Sequence, residues 1–147
     1  MPHWRSSPVR SAPEGNALVL AFQSGQEAVR LAALVPGVGS RHAETFVAGY
    51  TDDASVIRPG VYEKDREEIR TNIAAAFAGP LNGSRVAARP VDVRFLTGDT
   101  AIVVSEDGII LPGQDAVASE RLVRATWVLV RRDGGWRIAS YHNSPAS

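Results

Sequence analysis

Three side chains in this chain are of types that transfer protons or hold an oxygen anion: Arg58 in "SVIRPG", Glu106 in "VVSEDGII" and His142 in "RIASYHNSP". A histidine exchanges a proton near neutral pH, a carboxylate accepts one, and an arginine offers forked donors to a carboxylate, phosphate or polarised carbonyl. Each also has a plain reading. His142 fits a satisfied structural histidine and Arg58 a surface cation beside a hairpin. Glu106 fits a solvated strand end, since Asp107-Gly108 next to it reads as a turn or bulge. Tyr62, Trp127 and Tyr141 are flat rings suited to lining an apolar pocket, or core aromatics whose polar tips find partners. Tyr50 joins them from the apolar side of a short helix. Asp52 and Asp53 read as capping or turn acids.

Alternation along the last strand sharpens the choice. Trp136, Ile138, Ser140 and His142 share one face of an unbroken strand; Arg137, Ala139, Tyr141 and Asn143 share the other. Only one of His142 and Asn143 then looks into a pocket, and His142 is the better chemical candidate. With no cysteine, and three histidines of which no two stand at ligand spacing, we expect no metal, no thiolate chemistry and no cofactor.

The elements that must position these groups are legible in outline. The chain has 147 residues, 44% hydrophobic and 22% charged, the composition of one globular domain. Its 16 basic residues balance 16 acidic ones, so no general field favours nucleic acid or an anionic membrane. There is no signal-peptide core and no apolar run near the roughly 20 residues of a membrane helix, which leads us to expect a cytoplasmic protein. Residues 1–15 read as a mobile tail before a domain at 16–147.

"ALVLAF" at 17–22 is either a helix start or a short strand. Ser24 and Glu27 have capping-box spacing ahead of the stripe Ala28, Leu31, Ala32 and Val35. A second short helix is predicted from about Ser40, with Ala43, Phe46, Val47 and Tyr50 as its buried side. Period-two patterning around Pro59-Gly60 predicts a hairpin. Asp65 opens the strongest helix, with Ile69, Ile73, Ala76 and Phe77 on one face and Gly79-Pro80 as its stop. From Ser84 onward the pattern is all strand, a four-stranded antiparallel meander turning at Gly98-Asp99, around 113–118 and at Gly134-Gly135. This is an α+β order: about three helices against one face of a bent antiparallel sheet. "ATWVLV" is apolar on both parities, so a second subunit is expected to cover its other face in a homodimer.

Taken in order, "AETFVAGYTDDASVIRPG", the helix after "DREEIR", "VRFLTGDTAIVV" and "LVRRDGGWRIASYHN" resemble the nuclear-transport-factor-two-like, or SnoaL-like, superfamily. The nearest pattern is the SgcJ/EcaC type. The resemblance spans roughly residues 40–143 and implies a cone-shaped sheet with a pocket beneath its helices, usually in a homodimer. It also implies a ligand of polyketide origin, enediyne pathways included, with a polyketide synthase or another pathway enzyme as partner. The first helix departs from the family pattern: it is short, lacks the usual tryptophan and is broken by "VPGVGS". Isomerases of the superfamily carry a base where this chain has Arg58, and a donor acid at a position matched to Val128. Neither residue can do that work.

Three functions therefore stand side by side. One is a biosynthetic protein that binds a small hydrophobic or polycyclic ligand, contacted by Arg58, Tyr50, Tyr62, Trp127, Tyr141 and Asn143. Another is a non-catalytic dimeric interaction module. The third is an isomerase, cyclase or dehydratase whose rearranged acid–base site uses His142 or Glu106.

Overall fold

A computed structural model describes residues 43–146. The tail, the "ALVLAF" segment and the capping-box helix lie outside the described residues. Helix α1 (Ala43–Val47) leads into β1 (Tyr50–Arg58) and β2 (Val61–Glu63), followed by helix α2 (Arg66–Ala78). The strands β3 (Arg85–Thr97), β4 (Thr100–Ile110), β5 (Val123–Arg132) and β6 (Gly135–Pro145) complete the chain, with a 3-10 turn at Ser119–Arg121.

The local rules act where the sequence placed them. Asp65 caps α2 by accepting from the Glu68 amide at 2.8 Å, and the Glu68 carboxylate accepts from the Lys64 amide at 3.0 Å, so two otherwise orphaned donors are satisfied. Gly79 ends the helix, with the Leu81 amide folding back to the Ala76 carbonyl at 2.8 Å. Pro59-Gly60 joins β1 to β2 as an antiparallel hairpin. The β5–β6 turn needs positive φ at both Asp133 and Gly134 (53° and 76°), the backbone twist that two-residue hairpins favour.

All six strands form one sheet in the order β2-β1-β6-β5-β4-β3. The expected meander is present, but the sheet is mixed: β1 runs parallel to β6, from Tyr50 opposite Ile138 to Ile57 opposite His142. Tyr50 is not a helical residue. It begins β1 and is 1% exposed, stacked on Phe46 at the end of α1. Pro90, which cannot donate to a ladder, sits in the edge strand β3 at an irregularity of register. The core lies between the helices and the inner face of the sheet, where Ile69, Val103, Leu129 and Ile138 are almost fully buried.

One feature of β6 overturns the face assignment made from alternation. Leu129 pairs with Ile138 and Val128 with Ser140, leaving Ala139 as an extra residue. A bulge of this kind reverses the phase of everything beyond it. Trp136 and Ile138 are buried on the inner side before the bulge; Tyr141 and Asn143 take that side after it, and His142 is exposed.

Candidate functional site

A cavity of about 380 Å³ lies between α2 and the inner face of the sheet. Its helical wall is Phe46, Ile69, Ile73 and Phe77; its sheet wall includes Val56, Val86, Ala88, Val123 and Trp127. Against this apolar surface stand the polar side chains of Tyr50, Arg58, Glu63, Asp107, Arg121, Tyr141 and Asn143.

Two carboxylates face the cavity in unlike settings. Glu63, 1% exposed, ends β2 and accepts from Arg58 Nη2 at 2.8 Å and from Asn72 Nδ2 at 3.0 Å, so each of its oxygens has a donor. Asp107, 5% exposed, lies on β4. Its Oδ2 accepts from the Tyr141 hydroxyl at 3.0 Å, and Asn143 Nδ2 donates in turn to that hydroxyl oxygen at 2.9 Å. Oδ1 of Asp107 has no hydrogen-bond partner. Burial pushes the Asp107 carboxyl up to about 6, opposed by the donors around it, Ser105 and Tyr141 among them. Trp127 is fixed by a 2.7 Å bond from its Nε1 to Ser105 Oγ and packs edge-on against Tyr141 with ring centres 4.4 Å apart.

Burial, reinforced by the neighbouring charge of Asp107, holds the Tyr141 phenol well above its usual value. Tyr50 is raised for the same first cause, with Tyr141, Glu63 and Asp107 adding to it. Both remain protonated donors at neutral pH. The Tyr50 hydroxyl makes no hydrogen bond to any described residue, although its ring forms part of the cavity wall.

The structure thus gathers Arg58, Tyr50, Trp127, Tyr141 and Asn143 in one place, and it leaves three sequence-predicted residues elsewhere. His142 is on the outer face because of the Ala139 bulge. Glu106 is on the outer face of β4, where its carboxylate lies 3.5 Å from Arg89 and 3.4 Å from Arg124. Tyr62 is 67% exposed, since alternation along β2 turns Val61 and Glu63 inward and Tyr62 out. Neither proton-transfer candidate of the sequence reading reaches the cavity. Val128, matched to the donor acid, also points away, while Trp127 points in.

Three charged cavity residues escaped the sequence reading: Glu63, Asp107 and Arg121. Asp107 had a signal. It shares parity with Ala101, Val103 and Ser105 along β4, all buried, but the Asp-Gly pair reads locally as a turn. In fact Asp107 pairs with Val123 and Gly108 with Ala87 in a continuous strand. Glu63 had none, because a three-residue strand carries too little alternation. Among the described residues no group of acidic or histidine side chains is arranged to hold a metal, and no helix is long and apolar enough to cross a membrane.

Comparison with known proteins agrees with this architecture. A domain of unknown function with a cystatin-like fold from Nostoc punctiforme is 25% identical, over 83% of this chain and 77% of that one, with a TM-score of 0.72. An NTF2-like protein from Novosphingobium aromaticivorans is 18% identical, covering 88% of both chains with a TM-score of 0.70. A candidate dehydratase of the NTF2-like family from Streptomyces avermitilis is 26% identical, over 86% of this chain and 95% of that one, with a TM-score of 0.60. No curated protein matches the chain. The profile of the SnoaL-like domain matches residues 32–147, which takes in every described strand, both described helices and every wall of the cavity. The chain belongs to the SnoaL-like domain family.

Proposed function

We propose that the cavity takes one small, mostly apolar molecule bearing a ketone or hydroxyl oxygen, and that Asp107 moves a proton on it in a cofactor-independent isomerisation, cyclisation or dehydration. The observation that carries this reading is Asp107 itself: a carboxyl buried in an apolar cavity, with one oxygen held by Tyr141 and the other unpartnered. Half-titrated at about 6, it is poised near neutrality, where a general base works best. In the step we envisage, the Asp107 carboxylate takes a proton from the carbon beside a ketone. The C–H electron pair forms a carbon–carbon double bond, the carbonyl pair moves onto oxygen, and the same carboxyl returns the proton to that carbon or to another. Tyr50, protonated and with a hydroxyl that no described residue engages, has the properties of the donor that holds the enolate oxygen.

A volume of about 380 Å³ is near the lower end of ligand pockets, roughly 300–1,000 Å³, and favours a compact fused-ring molecule over a long polyene. A polyketide-derived intermediate, the ligand class implied by the resemblance to the SgcJ/EcaC type, meets that demand. The test uses 2-tetralone, a bicyclic ketone with acidic protons beside its carbonyl, in deuterated water. Proton exchange followed by NMR is accelerated by the protein and not by Asp107→Asn. Equal acceleration by both proteins would remove Asp107 from the reaction.

The outer face supports a second reading, that of an interaction surface. Ile102 pairs with Val128 there, with Val104 and Val130 beside them, so that four half-buried apolar side chains lie together. We assign this patch to a second copy of the chain. Sedimentation at micromolar concentration is expected to give a dimer, and a monomer alone would exclude that assignment.

A further inference from the structure

Resting on the reading of the cavity as a ligand site, the geometry points to the chemical class of the ligand: an apolar carboxylic acid, its ring system inside the cavity and its carboxylate held at the rim by Arg121. The charged side chains of the lining are Arg58, Glu63, Asp107 and Arg121. Arg58 is neutralised by Glu63 at 2.8 Å, and Asp107 is held by Tyr141 at 3.0 Å. Arg121 is exposed and makes no ion pair with any described residue, although Asp115 and Glu120 are close to it in sequence. Of the two arginines in the lining, Arg121 is therefore the one without an opposing charge, at an edge that water reaches.

Arg121 does not hang from a loose segment. The stretch between β4 and β5 is tied at several points: Arg85 Nη2 to the Gln114 carbonyl at 3.3 Å, the Arg121 amide to the Ala118 carbonyl at 2.9 Å, and the Ala146 amide to the Leu122 carbonyl at 3.0 Å. Midway, Val117 sits directly on Gly108. A Cβ at Gly108 would come within 2.3 Å of the Val117 side chain, so only glycine lets this segment close down on β4. The consequence is a guanidinium whose root is fixed at the cavity rim before any ligand arrives, which lowers the ordering cost of binding. A single guanidinium matches a monoanion. A phosphate dianion calls for more positive charge than the rim provides.

The test compares two probes of one shape, 2-naphthoate and the uncharged 2-naphthamide, by calorimetry at low salt. The wild-type protein is expected to prefer the acid on the order of tenfold, the value of one charge-assisted contact at a solvated rim. Arg121→Gln abolishes the preference, weakening the acid far more than the amide, while Arg121→Lys retains part of it. Gly108→Ala, with unchanged circular dichroism, also lowers the preference by displacing Val117, and adding Val117→Ala restores it. Equal affinity of the wild type for both probes, or an Arg121→Gln variant that keeps the preference, overturns the assignment while the role of Asp107 stands. Failure of both probes to bind, together with unaccelerated exchange of 2-tetralone, removes both readings.

Discussion

The cavity wall holds two buried carboxyls, Glu63 and Asp107, and the difference between them sets a structural carboxylate apart from the one we propose as the base. Glu63 is saturated: Arg58 and Asn72 supply a donor to each oxygen, so its negative charge is answered within the wall. Asp107 faces no cation at hydrogen-bonding distance and keeps one oxygen without a partner. A saturated buried carboxylate is a strut, whereas an under-satisfied one carries an unfavourable free energy that a ligand or a proton can relieve.

Exchanging the roles breaks this comparison most visibly in catalysis. Asp107→Asn is expected to lower the exchange rate of 2-tetralone by about 10²–10⁴-fold, the usual contribution of a positioned base, whereas Glu63→Gln retains most of it. An equal loss from both variants would make the two carboxyls equivalent. In stability the order reverses. Glu63→Leu strands Arg58 and should cost about 2–3 kcal/mol in denaturant unfolding, less than a fully buried pair because Arg58 is 37% exposed.

Asp107→Asn should instead raise stability at pH 7 by about 1–3 kcal/mol. The sign follows from the shift: with a folded value of about 6 against an ordinary 3.8, the folded state binds more protons than the unfolded state between those values. The wild type therefore loses stability relative to Asp107→Asn as pH rises from about 4 to 6, and the gap closes in acid. Melting curves of both proteins at pH 4 and pH 7 measure it. The smallest effect belongs to the outer face, where His142→Phe should leave exchange unaltered and stability within about 0.5 kcal/mol.

These contrasts also mark how far the sequence could be read. Helix α2, the Pro59-Gly60 hairpin and the four strands after Ser84 follow from local signals, such as a capping acid, a turn dipeptide and alternation, and the structure has them where the pattern puts them. Of the lining of the candidate site, Tyr50, Trp127, Tyr141, Asn143 and Arg58 were legible. Its acids were not, for a reason that is not local. The inward face of β6 beyond Ser140 depends on the Ala139 bulge, which is set by pairing with β5 and leaves no mark in "RIASYHN". Likewise "EDG" is a turn in isolation and a strand only because β3 and β5 pair with it on either side. The parallel pairing of β1 with β6 was missed on the same ground, since nothing in either segment names its partner.

That pairing has a kinetic consequence. β6 is inserted between β1 and β5, and the contact of Ser55 with Ser140 closes a chain segment of 85 residues. The helix, the β1–β2 hairpin and the β3–β4, β4–β5 and β5–β6 ladders all form between near neighbours in sequence, but the cavity has no complete floor until β1 joins β6. Loop closure of this length sets in after local structure, and strand pairings with large sequence separation slow folding. During that interval β1 and β6 each present an open hydrogen-bonding edge, which another chain could occupy. Refolding should therefore show β1–β6 closure as its late phase, with the yield of native protein falling as concentration rises.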